Sequence, residues 1–462
     1  MNASTLLVAL LPEHLLLAGI VLLIVLDIVG RAERPALSIA LGAVLAAAVA
    51  AAALAFSGYQ AEPFPYELAV DRPASIAKAF VLALALPVLL LARDEASGRP
   101  FHVLVLSSLY GACLIASSQS FLTLFLAIEL MSLPVYVLVL LAWRRPESAE
   151  AALKYLVLGG AASATLLMGA ALLFGGSGTL ALSTFSHALG SRDPMSSAGL
   201  ALVTAALFIK AAIVPFHAWA PDAYEGASVP VTAYMATIVK AGVLLAALRL
   251  FNAVPVERPL VDLLALLPLV SIAWGNLAAM RQPTFRRMIA YSSIAHAGYL
   301  FFALLGEGSG RYEAVVFYLV TYGLMNLLAF AALPRGVDGD GWEDRLDALK
   351  GLFSRRPYAA VTLAIAMLSL AGIPPLPGFV AKFLVFRNVM DAGYTLYGVL
   401  GLVASYLGIY FYLRVIQLMF MSPVGEAQAL GQERRMALVA SLACLVPTIA
   451  IAVYPDLVLR LL

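Results

Sequence analysis

Apolar residues in this chain come in long, nearly unbroken runs separated by short polar stretches, from one end to the other. The runs fall at 6–29, 36–57, 74–92, 101–117, 119–143, 149–175, 198–217, 229–251, 259–280, 284–305, 312–333, 356–390, 394–421 and 436–460. Most reach the roughly 20 residues that a helix needs to cross a hydrocarbon layer about 30 Å thick. Leu and Ala dominate them and the strict alternation of a barrel strand is absent, so helices are expected to satisfy the backbone in lipid. The pattern predicts an all-α polytopic membrane protein with 14 transmembrane helices. The widest gaps, 58–73, 176–197 and 334–355, are too short for a soluble module, so residues 1–462 read as one membrane domain.

Composition narrows the function classes. Hydrophobic residues make up 63% of the chain and charged residues 12%, against about 25% charged in soluble domains. The net charge of +2 gives no nucleic-acid signal. Met1 to Leu11 lacks the basic start of a cleavable signal, so the first run is expected to stay as a span. Cys113 and Cys444 lie far apart inside apolar runs, without the spacing of a zinc, haem or iron–sulfur site, and read as packing residues. Gly175-Gly176-Ser177-Gly178 is a helix exit rather than a phosphate cradle, and no nucleophile triad or metal-ligand cluster is visible. No cofactor, metal or catalytic redox centre is therefore expected in this chain.

Loop cations predict topology, because short cytoplasmic loops are rich in Lys and Arg. With the N-terminus outside, the inside segments hold Arg31, Arg34, Arg93, Arg99, Arg144, Arg145, Arg281, Arg286, Arg287, Arg335, Arg345, Lys350, Arg355, Arg356, Arg434 and Arg435. The outside segments hold only Arg72, Arg192, Arg249, Arg258, Arg311, Arg387 and Arg460. An even number of spans with both termini outside is favoured.

Lysine is distributed differently from arginine. Lys350 lies in a polar segment, but Lys78, Lys154, Lys210, Lys240 and Lys382 sit in or beside apolar runs. An ammonium at membrane depth is costly unless paired or hydrated, so such residues point to an ion or proton path. Two runs are also interrupted. Pro215, inside Ala212-Ile-Val-Pro-Phe-His217, follows Lys210 and leaves the Ala211 carbonyl without its helical donor. The second interruption is Gly372-Ile-Pro-Pro-Leu-Pro-Gly378, with Pro374, Pro375 and Pro377, four residues before Lys382. Broken helices at membrane depth line ion sites in transporters, whereas a plain proline kink is the structural alternative.

A weak repeat connects the two. Glu129-Leu-Met-Ser-Leu-Pro-Val-Tyr136 and Tyr291-Ser-Ser-Ile-Ala-His-Ala-Gly-Tyr299 end on tyrosines 163 residues apart, and Tyr155-Leu-Val157 and Tyr318-Leu-Val320 are separated by the same 163. The same offset brings the Pro215 break to the Pro377-Gly378 break. Five spans intervene, so the copies must run in opposite directions across the membrane.

The strings Lys154-Tyr-Leu-Val-Leu-Gly-Gly160, Val214-Pro-Phe-His-Ala-Trp-Ala-Pro-Asp-Ala-Tyr-Glu-Gly226, Pro230-Val-Thr-Ala-Tyr-Met-Ala-Thr-Ile-Val-Lys240, Tyr291 to Tyr299 and Ala371 to Lys382 resemble subunit N. That family is the smallest antiporter-like membrane subunit of respiratory complex I, NADH:quinone oxidoreductase. The match covers roughly residues 100–420 in order. Relatives such as subunits L and M usually carry histidine where Tyr224 stands, and the chain lacks the long lateral helix of L. The resemblance implies a proton path through Glu129, Lys154, Lys210, Lys240 and Lys382, driven by redox chemistry in other subunits. It also implies two inverted five-helix repeats, helices 4–8 within 101–251 and helices 9–13 within 259–421, between three N-terminal helices in 1–100 and a last helix at 436–460. The implied setting is a bacterial inner membrane beside subunit M, the small membrane-arm subunits and lipids. A subunit of a Na⁺/H⁺ antiporter, or of a ferredoxin- or hydrogenase-linked relative, is the alternative, and a silent scaffold a third.

Burial disfavours an ammonium while a nearby carboxylate favours it, so a Glu moving relative to a Lys switches whether the proton is held. Glu129 acting on Lys210 is the candidate switch. His296 reads as a relay or as a core histidine bonded to Ser292 or Ser293, and His217 as a relay or a cap at the break. Lys154, some five residues into its run, either joins the path or snorkels to the surface. Lys78 reads as a snorkelling interface residue, and Asp27, Asp71 and Asp456 as solvated or interface groups.

Overall fold

The computed structural model describes residues 3–30, 35–93, 100–142, 146–189, 193–251, 260–335, 344–423 and 434–461. Long helices dominate: α1 Leu11–Ile28, α2 Ala36–Ser57, α3 Arg72–Ala92, α4 Pro100–Ser117, α5 Phe121–Leu140, α6 Pro146–Ser177 and α7 Pro194–Ala211. After the short α8, Trp219–Gly226, come α9 Val229–Phe251, α10 Leu260–Ala279, α11 Phe285–Phe302 and α12 Gly308–Ala332. The series closes with α13 Pro357–Ala371, α14 Pro377–Asp391, α15 Thr395–Met421 and α16 Arg435–Val453. Among the described residues 13 helices are long and apolar enough to span a membrane. The run at 356–390 is the difference from 14: it is two 15-residue helices, α13 and α14, neither long enough alone. A feature not foreseen is a small antiparallel hairpin in the 58–73 gap, β1 Ala61–Phe64 with β2 Leu68–Val70.

Local chemistry places the ends. Ser120 caps α5 by accepting from the Thr123 amide, with the Thr123 side chain returning the bond. Pro357 and Pro377 stand at the first positions of α13 and α14, where the missing N–H costs nothing. Small residues let helices approach: a Cβ on Gly169 of α6 would lie 2.9 Å from the Gly199 carbonyl oxygen of α7.

The chain forms two compact units. The first comprises residues 1–89, 96–211 and 238–260; the second comprises 90–95, 212–237 and 261–462. Each contains one broken helix end, at Ala211 and at Ala371, followed by a residue in the left-handed region, Ala212 (φ 62°) and Gly372 (φ 84°). These two ends are 160 residues apart (371 − 211), three fewer than the offset of the tyrosine pairs, so the repeat slips register between its fifth-helix and broken-helix members.

Lys78 corrects one reading. It is 1% exposed and its ammonium lies 2.6 Å from the Glu13 carboxylate, itself fully buried, so it is a core ion pair between α3 and α1 rather than a snorkelling cation. Asp71 likewise is not merely solvated: it accepts from the Ala74 amide at 2.7 Å and pairs with Arg249 at 3.1 Å. Of the cations used for topology, Arg31, Arg34, Arg99, Arg144, Arg145, Arg192 and Arg258 lie outside the described residues.

Candidate functional site

In the first unit, α5, α6 and α7 place three polar side chains together. Glu129 and Tyr136 are two turns apart on one face of α5. Lys210, in the last turn of α7, donates to the Glu129 carboxylate at 2.9 Å and to the Tyr136 hydroxyl at 3.4 Å. Both partners of the ion pair are largely shielded, with 7% and 19% of the side chain exposed. Ser163 of α6 donates its hydroxyl to the same carboxylate. The Tyr136 ring sits over Gly159, where any Cβ would overlap its hydroxyl at 2.0 Å, and stacks edge-on against Tyr155 at 4.5 Å. Gly159 is thus what lets Tyr136 reach Lys210.

The breaks themselves supply the second element. Pro215 stands four residues after Ala211, and Pro375 four after Ala371, so neither terminal carbonyl can receive its helical donor. In each unit a buried ammonium takes that place: Lys240 donates to the Ala211 carbonyl at 3.2 Å and Lys382 to the Ala371 carbonyl at 2.9 Å. A cation at a helix C-terminus also meets the negative end of the helix dipole. Lys240 follows a π-helical turn, Met235–Val239, that interrupts α9, and such bulges recur at functional sites. Lys210 immediately precedes Ala211, so the helix end held by Lys240 belongs to the same last turn that carries the Glu129–Lys210 pair. Pro374 and Pro375 lie in the bridge from α13, while Pro377 begins α14.

In the second unit His296 of α11 is 2% exposed and held between two phenols, with Nδ1 to Tyr318 at 2.8 Å and Nε2 to Tyr412 at 3.1 Å. Of the two serines on the same face, Ser292 shares a hydrogen bond with Tyr412, and Ser293 one with Tyr224 at 3.1 Å. The Lys382 ammonium lies 5.1 Å from the centre of the Tyr299 ring, whose hydroxyl accepts from Asn276 at 3.3 Å. His217 accepts at Nε2 from Trp274 at 3.0 Å, beside the break rather than across it.

Lys154 is not part of the buried group. Its side chain is 44% exposed and pairs with Glu150 one turn earlier, at 2.7 Å. Conversely, Ser163 and Tyr412 belong to the polar clusters without having been singled out from sequence, and Tyr136 and Tyr318 had marked only the repeat, since an isolated tyrosine or serine in an apolar run carries no local signal of its partner.

Residues 118–408 match the family described as NADH:quinone oxidoreductase/Mrp antiporter, TM. NADH-quinone oxidoreductase subunit N of Pelobacter propionicus is 38% identical over 420 residues, covering 91% of this chain and 90% of that protein. A chain of respiratory complex I from Thermus thermophilus superposes with a TM-score of 0.84 at 36% identity, covering 97% and 98% of the two chains. A chain of an archaeal membrane-bound sulfane sulfur reductase gives 0.87 at 26% identity, covering 98% and 96%. This multi-pass membrane chain, with its lysines set at two broken helices, therefore belongs to the NADH:quinone oxidoreductase/Mrp antiporter family, among the subunit N sequences.

Proposed function

We propose that this chain is a proton-translocating membrane-arm subunit of an NADH:quinone oxidoreductase, moving protons while redox chemistry proceeds in other subunits. The observation that carries this reading is the shielded Glu129–Lys210 pair beside a broken helix whose last carbonyl is held by Lys240. With Glu129 close, the Lys210 ammonium is compensated; when the carboxylate withdraws, the proton is released toward Lys240, and Lys382 and the His296–tyrosine cluster continue the route. The phenol–imidazole–phenol arrangement supports a relay, because an imidazole accepts at one nitrogen while donating at the other. His217 is assigned to holding the break through Trp274. Lys154, paired with Glu150 on an exposed face, is placed at the entrance of the route. The excess of arginine in alternate loops orients the chain with both termini on the periplasmic side of a bacterial inner membrane. The partners are the antiporter-like subunit M, the neighbouring small subunits and lipids.

The test is proton uptake by inverted membrane vesicles during NADH oxidation, with and without sodium, in strains whose complex carries Lys382→Ala. Sodium-independent uptake that falls in the variant is expected. Uptake that requires sodium supports the antiporter reading instead, and uptake unchanged in the variant removes the route.

A further inference from the structure

We propose that the first unit holds a second proton-exchanging pair, Glu13 of α1 with Lys78 of α3, hydrated from the hairpin side and placed across α4 from Glu129 and Lys210. The two charges lie 2.6 Å apart and both side chains are fully buried. A carboxylate accepts, and an ammonium donates, several hydrogen bonds each, yet among the described residues neither group bonds to anything beyond the other. A buried ion pair offsets its desolvation only when the remaining positions are filled, and enclosed polar sites fill them with ordered water.

Polar side chains mark the path of that water. Asp71, Ser75 and Lys78 follow one another at spacings of four and three, so they share one face of α3. Asp71, at the mouth, keeps 34% of its side chain exposed while pairing with Arg249. Ser75 is fully buried, and its hydroxyl has no partner among the described residues. On α4, Tyr110, Cys113 and Ser117 share a face in the same way; the Glu13 charge acts on Tyr110 and Cys113, and the Lys78 charge on Cys113. Ser117 is likewise buried with an unbonded hydroxyl among the described residues. The approach along α1 is closed instead, because Val70 of the hairpin packs with Ala9 and Leu10, one turn before Glu13.

At rest the pair is neutral overall. A proton arriving as hydronium and accepted by the Glu13 carboxylate forms an O–H bond, leaves water, and gives the site the net positive charge of the Lys78 ammonium; return of the proton reverses the step. That charge bears on the other pair. The opposite face of α4 packs on α5: Ser108 donates to the Met131 carbonyl at 2.7 Å, and a Cβ on Gly111 would lie 2.4 Å from the Met131 nitrogen, two residues past Glu129. Ser108 and Gly111 point away from Cys113 by about half a turn, so a single helix, about 10 Å across, separates the pairs. Two unit charges about 10 Å apart, at an effective dielectric constant near 20, shift an equilibrium on the order of tenfold. A loaded Glu13–Lys78 site thus helps to drive the proton off Lys210.

In the intact complex, purified in detergent, a short X-ray pulse makes hydroxyl radicals from bound water, and oxidised peptides are quantified by mass spectrometry. Cys113 and Cys444 are both fully buried, so each serves as the other's control: Cys113, beside the hydrated charges, is expected to be oxidised severalfold faster, and Ser75→Val with Ser117→Val to remove that excess. Equal rates for the two thiols in the unmutated complex overturn hydration of the pair. In liposomes holding the whole complex, Glu13→Leu with Lys78→Met is expected to recover the stability that Lys78→Met loses, while proton transport stays on the order of tenfold slower than in the unmutated complex. Recovery of both marks a purely structural pair and overturns the exchange. Coupling to Lys210 rests on the proton route proposed above, whereas hydration does not: if the double variant transports normally while Lys382→Ala does not, exchange at Glu13 falls and the route stands. The comparison of the two thiols needs no variant, so failed assembly of a variant leaves the test intact.

Discussion

Glu129→Gln removes the carboxylate and keeps its shape. At 2.9 Å, with an effective dielectric constant near 20, the Coulomb attraction in the pair is about 6 kcal/mol before desolvation is subtracted. Breaking a shielded pair by deleting one partner typically costs about 3–5 kcal/mol, because the other charge stays behind uncompensated. Moving one proton against 150 mV takes about 3.5 kcal/mol. The pair therefore holds energy of the same order as the load, and a chain without it loses the means to hold the proton at Lys210 against the field. Each 1.4 kcal/mol is about tenfold in rate, so proton transfer through this chain is expected to fall by at least about tenfold. In liposomes containing the whole complex, protons moved per NADH oxidised should drop, while electron transfer from NADH to a soluble acceptor stays constant. Glu129→Asp, which keeps the charge on a shorter arm, should retain part of the coupling. Unchanged proton-to-electron stoichiometry and rate in Glu129→Gln would refute the reasoning, whatever the stability of the variant.

Lys240→Met and Lys382→Met each take the ammonium donor from a terminal carbonyl; thermal unfolding of the complex should show losses of about 1–3 kcal/mol, with pumping reduced in both. Lys154→Ala breaks only an exposed pair worth a few tenths of a kcal/mol, so stability should not change and proton uptake should fall less than in Lys210→Ala; an equal fall would move Lys154 into the route itself. Lys78→Met strands Glu13 in the core at a cost of about 3–5 kcal/mol, whereas Glu13→Leu with Lys78→Met together should regain most of it; a double variant as unstable as the single one would show that the pair is more than mutual compensation. Asp193 accepts from the Ser196 amide at 2.8 Å at the start of α7, and that bond holds its carboxyl below the ordinary value of 3.8. A depressed folded value means stabilisation present above pH 3.8 and lost as pH falls through the lowered value, so Asp193→Asn should speed amide exchange in the first turn of α7 at neutral pH and make no difference in strong acid.

The residues themselves determined the class of molecule, the positions of its spans and the depth at which ionisable groups occur, because apolar runs, prolines and helix caps act within about 20 residues of chain. The two breaks were legible for the same reason: Pro215 and Pro375 withdraw a donor from a carbonyl four residues earlier, a local fact. What takes that carbonyl was not legible. Lys240 reaches Ala211 across 29 residues and His296 reaches Tyr412 across 116, and nothing in the intervening sequence encodes either meeting. The same limit explains Lys78: its apolar neighbours suggested an interface, but only packing of α1 against the rest of its unit brings Glu13 to it and makes burial of both charges tolerable. Lys154 shows the limit from the other side, since a lysine near a helix start looks alike whether its side chain turns inward or stays outside with Glu150. Partners are chosen by helix rotation and close approach at small residues such as Gly159 and Gly169. Those are properties of several helices packed together, so tertiary structure alone decided which buried charges became a pair and which were left to cap a broken helix.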